Sequence, residues 1–172
     1  MSKEKIISIN FNEEPDIRDR GIKDTDPEPI KQNKIKFPFE LYNTVTITVK
    51  TNKREFNFDI YNGYVWNGAD IPKTLWILIG SRYNPEFRIA SMIHDYMLQF
   101  KKYMLDIVLK NEISISEYRR LTSLIFREKI KAQGTNVIKA NIMSWAVDVF
   151  QHYCNKKGWK LNENQPKGNS LN

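Results

Sequence analysis

The feature that most constrains the fold is a single change in the spacing of apolar residues along the chain. Over residues 45–60, apolar and polar side chains alternate, which is the pattern of β-strands with one buried face. The alternating apolar residues are Val45, Ile47, Val49, Phe56, Phe58 and Ile60. The turn residues 51–53 separate the two runs, so they predict a β-hairpin. Asn62 and Gly63, a pair suited to positive φ, predict a second hairpin turn before residues 64–66.

After residue 71 the spacing becomes helical. Pro72 suits the first turn of a helix over residues 72–80, and residues 84–86 combine an N-cap, a proline and an acid at the start of a second helix. That second helix is apolar nearly all round as far as residue 100, which predicts a buried central helix. Ser114 and Glu117 predict a capping box for a third helix.

The last helix shows the clearest helical repeat of apolar residues, and we expect this stripe to be its buried face. Its members are Ile138, Ile142, Trp145, Ala146, Val149, Phe150 and Tyr153. Strands followed by helices predict an α+β fold, with a small antiparallel β-hairpin sheet and a bundle of three to five helices packed on it. Residues 35–41, which contain Pro38, are predicted to form an edge strand of the sheet.

Composition divides the chain into three parts. Residues 1–34 carry 7 basic and 8 acidic residues with three prolines, and we predict an extended N-terminal arm. Residues 35–155 are predicted as a single α+β domain, and residues 156–172 as a polar C-terminal tail. The whole chain has 27 basic and 20 acidic residues, so 27 − 7 = 20 basic and 20 − 8 = 12 acidic residues lie beyond the arm. The body is therefore the basic part, which favours polyanionic partners without identifying one.

Several classes of protein are excluded by composition. No run approaches the roughly 18 to 20 apolar residues of a membrane span, and the N-terminal apolar patch is too short for a signal peptide, so we expect neither membrane anchoring nor export. Cys154 is the single cysteine, which precludes an internal disulfide and a cysteine zinc cluster. We therefore expect a reducing compartment.

Two short segments carry the candidate functional residues. Residues 66–72 combine a strand exit, a glycine turn and a helix entry, which would place the Asp70 carboxylate at the positive end of a helix macrodipole. His94 and Asp95 put an imidazole and a carboxylate inside an otherwise apolar helix. Because a buried polar group without a partner costs about 1 to 3 kcal/mol, both should be paired. We expect one of them to meet the turn at residues 67–70, in a polar clasp between sheet and helices; a simple N-cap is the alternative for Asp70.

These segments resemble a phage-associated family, domain of unknown function thirteen fifty-three. Its hallmark is an Asp-Gly-Ala-Ser-Ile-Pro-like turn, an aromatic residue soon after, and a His-Asp pair about two dozen residues later. Residues 67–72, Trp76 and the pair at 94 and 95 occupy those places, and the resemblance covers roughly residues 56–150. Asn67 stands where the family has Asp, and Asp70 where it has Ser. The resemblance implies a phage origin and no particular reaction.

The candidate catalytic residues are His94, Asp95 and Asp70, and the candidate binding residues are Asn67 and Trp76. In the enzyme hypothesis, His94 is the base or a metal ligand of a metal-assisted or acid/base hydrolase acting on cell wall or nucleic acid, and the two carboxylates support it. One nitrogen and two oxygens would suit a divalent ion. Adjacent helix residues diverge by about 100°, however, so His94 and Asp95 should not share an ion in a regular helix, and no cofactor is our first expectation.

A structural role is the preferred hypothesis. Polar, proline-bearing extensions around a compact core are typical of proteins that bind their neighbours by ordering on contact. We therefore expect a structural or accessory bacteriophage virion protein of the tail or head-neck region, made in the cytoplasm of a bacterial host. Its expected partners are other virion proteins in a multimeric assembly. Nucleic acid is the alternative that the basic charge favours, and no membrane partner is expected.

Overall fold

A computed structural model describes residues 3–68 and 85–156, apart from the side chains of residues 86 and 150–156. The strands are β1 (Ile6–Phe11), β2 (Ile17–Asp19), β3 (Phe39–Leu41), β4 (Val45–Thr51), β5 (Glu55–Ile60) and β6 (Val65–Trp66). The helices are α1 (Glu28–Lys36), α2 (Arg88–Gln99), α3 (Ile115–Ala132) and α4 (Val137–Lys156). Shorter helical segments are a 3-10 turn at Pro85–Phe87, a turn at Lys101–Tyr103 and a π-helix at Met104–Val108. Two small antiparallel sheets and these helices confirm the α+β class.

The predicted hairpin forms two of the three strands of the first sheet. β4 and β5 pair antiparallel, with Val45 opposite Ile60 and Ile47 opposite Phe58. These apolar side chains are buried, as the alternation indicated. β1 adds to the other edge of β4, so the strand order is β1-β4-β5.

The N-terminal segment differs from the predicted arm, because it supplies a strand to each sheet. β1 pairs with β4, and β2 pairs with β3. The register of β1 shifts between Ile6 and Ser8, which leaves Ile7 exposed while Ile6 and Ile9 pack against the core. Such a bulge interrupts the alternation of apolar residues on which strand prediction depends. The pairing also joins residues some 40 positions apart, which local spacing does not reveal.

The second sheet has the order β2-β3-β6. Two of its strands, β6 and β3, differ from what the sequence predicted. Gly63 has φ +80°, as the turn prediction requires, but the strand after it pairs with β3 rather than β5. The turn is bound to the end of β3, because the Gly63 N–H donates to the Leu41 carbonyl at 2.7 Å. Residues 35–41 do not form one edge strand, since α1 continues to Lys36 and β3 lies in the middle of the sheet. Pro38 precedes β3, so it removes no ladder hydrogen bond from it.

The start and the end of α3 follow from the local sequence, as predicted, whereas α2 starts later than predicted. The Ser114 hydroxyl accepts from the Glu117 N–H at 3.3 Å, and the Ser114 N–H donates to the Glu117 carboxylate at 2.9 Å, so the capping box is confirmed. α3 ends before Gly134, which has φ +95°. Pro85 begins a 3-10 turn, and the regular helix starts only at Arg88. The predicted helix over residues 72–80 lies outside the described residues, as does the polar tail beyond residue 156.

The buried face of α4 is not the predicted stripe. Ile138 is 70% exposed and Trp145 is 62% exposed, and Ile142 and Val149 are also exposed. The described residues that α4 buries are Ala140, Met143, Ala146 and Val147. Both sides of this helix are apolar, so apolar spacing alone does not decide which one is buried. The face with two alanines permits closer packing against a neighbouring helix than a face of isoleucines and tryptophan. Of the members of the predicted set whose side chains the structure describes, only Ala146 is buried.

Within the part of the chain that the structure describes, two clusters of apolar side chains make up the core. The larger one lies between the sheets and the helices α2 and α3, and it includes Trp66, Ile93 and Leu121. The smaller one lies beneath α4 and consists of Phe87, Ala90, Phe126, Ile130, Ala140, Met143 and Val147. No described helix is both long enough and apolar enough to cross a membrane.

Candidate functional site

The site predicted from the sequence is centred on α2, and its polar residues are deeply buried. His94 is 1% exposed and Asp95 is 5% exposed, and Ser91 is fully buried one turn earlier on the helix. α2 is covered on nearly all sides because it packs against β6 and α3. The helix therefore carries its imidazole and its carboxylate into the protein interior, where each requires a partner.

His94 and Asp95 contact each other directly. The distance from His94 Nδ1 to Asp95 Oδ1 is 3.3 Å. An ionised carboxylate only accepts hydrogen bonds, so with Asp95 ionised the proton of the ring lies on Nδ1 and points at this oxygen. The edge-to-face packing of the ring against Phe126 of α3, with 5.6 Å between centroids, fixes its orientation.

A second polar contact links the first predicted segment, residues 66–72, to the helix that carries His94 and Asp95. The Trp66 Nε1–H donates to the Ser91 hydroxyl at 3.2 Å, and that hydroxyl donates to the Arg88 carbonyl at 2.9 Å. Both side chains are fully buried, and this contact satisfies the indole N–H. The end of β6 is thereby tied to the first turns of α2.

Aromatic rings surround the Trp66 indole, and further contacts connect the start of α2 to the other strands of the second sheet. Trp66 stacks on Tyr64 with 5.8 Å between centroids and lies 5.6 Å from Phe39 of β3. The Arg88 guanidinium lies 4.9 Å above the Phe39 ring and 3.3 Å from the Asp19 carboxylate of β2. The start of α2 is therefore held by residues of all three strands of this sheet.

The structure brings some of the predicted site residues together. His94 and Asp95 form a pair, and Asn67 is half-buried directly after β6. Gly68 follows with φ +87°, a backbone conformation that favours glycine. Asp70 and Trp76 lie outside the described residues. Trp66 and Ser91 form a buried hydrogen bond between sheet and helix at this site.

Sequence reasoning placed Trp66 only at the start of the segment 66–72, without a role in the site, and it missed Ser91 and Phe126. Ser91 did carry a signal, because it is a polar residue three positions before His94 and so lies on the same side of the helix. Phe126 carried none, since it comes from another helix and its position depends on tertiary packing.

The described part of the site contains one imidazole and one carboxylate in contact. Among the side chains that the structure describes, no three His, Cys, Asp or Glu residues are close enough together to hold a metal ion. A His-Asp pair can position a proton on the ring, which is the first requirement of a general base. Its burial keeps it from solvent, which favours a structural role.

Comparison with known proteins places this arrangement in a family. A family model described as protein of unknown function (DUF1353) matches residues 43–147. The chain belongs to the DUF1353 family. The match includes β4 to β6, α2 and α3, so it contains both segments of the site, whereas β1, β2 and β3 lie before its first residue.

The search of curated proteins found a relative of this DUF1353 chain that is described as an uncharacterised protein. The protein y4jT of Sinorhizobium fredii (strain NBRC 101917 / NGR234) is 28% identical over 127 residues, which is 74% of this chain. The chain spans 30% of the length of that relative. No solved structure matches the chain significantly.

The buried pair gives a prediction for stability. His94→Ala should lower the free energy of unfolding by about 1 to 3 kcal/mol, because it removes a hydrogen-bond partner of a buried carboxylate. The double variant with Asp95→Ala should show a coupling energy of about 0.5 to 3 kcal/mol in urea denaturation. Glu55→Ala, on the exposed face of β5, is the control. Its effect on the free energy of unfolding should add to that of His94→Ala without coupling. Unchanged stability of His94→Ala would contradict the structural role and leave the enzyme hypothesis to be tested.

Proposed function

We propose that this DUF1353 protein acts by protein-protein assembly, as a structural or accessory component of a bacteriophage particle. The observation that carries the proposal is the exposed apolar stripe of α4, defined as Ile138, Ile142, Trp145 and Val149. Single exposed apolar residues are ordinary on protein surfaces. A contiguous row of four large ones along a helix is instead typical of a surface that a partner covers.

The spacing of the stripe supports a docking role. Its members follow one another at intervals of four, three and four residues, so they lie on one side of α4, away from the face that packs on α3. A helix that is apolar on two sides is expected to be buried on both. One side of α4 is covered within the chain, and we assign the other to another subunit of the assembly.

This proposal rests on a different feature from the one that the sequence favoured. The N-terminal segment was expected to bind neighbours as an arm, but its strands β1 and β2 are parts of the two sheets. The burial of His94 and Asp95 also favours assembly over the hydrolase hypothesis. The α4 stripe therefore replaces the N-terminal arm as the support for assembly.

The test is the copy number of this chain in virions of the phage that encodes it, measured by quantitative mass spectrometry. We expect a constant ratio to the major capsid protein. Ile138→Ser should reduce that ratio by about tenfold, because a polar residue within an apolar interface costs on the order of 1 to 3 kcal/mol.

The matched control is Ile107→Ser. Ile107 is 64% exposed on the π-helix, close to the exposure of Ile138, but it lies outside the α4 stripe. Its variant should be incorporated normally, and both variants should melt at the wild-type temperature. Absence of the wild-type chain from virions would overturn the proposal.

A further inference from the structure

We infer that the partner of the α4 stripe is an acidic amphipathic helix, which lies along α4 and places carboxylates against the arginines of α3. This inference rests on the proposed assembly function and adds the chemical class of the partner. It is carried by a groove that runs between α3 and α4 beside the stripe.

The groove has a volume of about 540 Å³ and combines one aromatic wall with a cationic wall. Trp145 of the stripe lines one side, and Arg119, Arg120 and Arg127 line the other. Ser123 and Ser144 also line it, and the Ser144 hydroxyl donates to the Ser123 carbonyl at 2.9 Å. Because these residues are short, they leave room for side chains of a partner between the two helices.

The arginines of the groove are neutralised to different extents. Arg119 forms an ion pair with Asp148 at 2.9 Å, and Arg127 forms one with Glu128 at 2.7 Å. Arg120 is exposed, and no ion pair joins it to another described side chain. The nearby Glu117 carboxylate is bound at the N-cap of α3, where hydrogen bonds from Ser114 lower its pKa. Arg120 is therefore the cation most available to a partner.

Charge decides between an acidic partner and a second copy of this chain. The groove is lined by three arginines against two acids, Glu117 and Asp148, and the whole chain has a net charge of +7. Two copies would bring like charges together, which opposes association. An acidic helix instead meets the arginines with opposite charge, which favours both encounter and register.

The aliphatic residues of the α4 stripe favour a helical partner over a nucleic acid. Ile138, Ile142 and Val149 offer no planar ring on which bases could stack, and Trp145 is the one aromatic residue of the stripe. Their helical spacing matches the apolar face of a second helix. The observations therefore favour a protein partner over a nucleic acid.

A display library of helical peptides provides the test. Each peptide has leucines at helical spacing on one face, and the positions that flank this face are randomised. Selection on the full-length protein should enrich Asp and Glu at the flanking positions. A selected peptide, measured by fluorescence polarisation, should bind Arg120→Glu about tenfold or more weakly than the wild type, with the largest difference at low salt.

The control is Lys102→Glu, which makes the same change in net charge at an exposed residue outside the groove. It should leave peptide affinity within about twofold of the wild type. Selected peptides without acidic enrichment, or equal losses in both variants, would overturn the inference of an acidic partner. Tighter binding of a single-stranded oligonucleotide than of any peptide would overturn it in favour of nucleic acid.

The virion experiment separates this inference from the proposed function. If Ile138→Ser prevents incorporation and Arg120→Glu does not, the stripe is a docking surface and the partner is not recognised through this charge. If the wild-type chain is absent from virions but acidic peptides are still selected, the proposed role in a phage particle is wrong. The inference of an acidic helical partner is then still supported.

Discussion

A chain that lacks residues 1–11 is expected to lose cooperative folding. This deletion removes β1, which pairs with β4 from Ile6 opposite Thr51 to Phe11 opposite Ile47. It also removes three apolar side chains that pack against the larger core, Ile6, Ile9 and Phe11. The measurement is thermal unfolding followed by far-ultraviolet circular dichroism, with size-exclusion chromatography to detect aggregation.

The size of the effect follows from what β1 contributes. Burying an apolar side chain of this size is worth about 1.5 to 3 kcal/mol, and these three are partly buried, so their sum is on the order of 5 kcal/mol. The segment before β1 adds an ion pair between Glu4 and Arg54 at 3.0 Å. A domain of this size is stable by only about 5 to 15 kcal/mol. The deletion therefore removes between about one third and all of that stability.

Loss of β1 also exposes the hydrogen-bonding edge of β4, which is a template for aggregation. The matched control is Ile7→Ser. Ile7 lies at the bulge of β1 and is exposed, so its substitution should change stability by less than about 0.5 kcal/mol. A truncated chain that melts cooperatively at the wild-type temperature would show that this segment is an arm after all.

Trp66→Ala is expected to give the largest loss of stability of any substitution that we propose. Replacement of a buried aromatic residue by alanine costs about 3 to 5 kcal/mol, because the cavity it leaves closes only in part. Trp66 is fully buried among the rings of Phe39 and Tyr64, and its N–H donates to Ser91. The loss should appear as a lower midpoint in urea unfolding, followed by circular dichroism since a tryptophan is removed.

Two further variants separate packing from hydrogen bonding at this position. Trp66→Phe keeps most of the ring contact and removes the donor, so it should cost less than the alanine substitution. Ser91→Ala keeps the donor but leaves it without its acceptor, which costs about 1 to 3 kcal/mol. The control is Trp145→Ala in the α4 stripe, which should change the stability of the isolated protein by less than about 0.5 kcal/mol. Equal effects of Trp66→Ala and Trp145→Ala would contradict the assigned burial.

Elements whose cause is local can be predicted from the sequence. The β4-β5 hairpin follows from strict alternation of apolar residues, and the start of α3 follows from the reciprocal bonds of Ser114 and Glu117. The turn at Gly63 follows from a backbone conformation that glycine favours. The His94-Asp95 pair was also predictable as buried, since it interrupts an apolar helix. In each case neighbouring residues supply the whole physical reason.

Strand pairing, the choice of buried helix face and contacts between elements depend on distant residues, so they could not be predicted from the sequence. β1 joins the sheet through a partner some 40 positions away, and its bulge hides the alternation. β6 belongs to the second sheet because its backbone pairs with β3. α4 is apolar on two sides, and the compact alanine face packs inward, which leaves the bulky stripe exposed. Trp66 and Ser91 meet only because β6 ends beside the first turns of α2, since contacts between elements depend on how the elements pack.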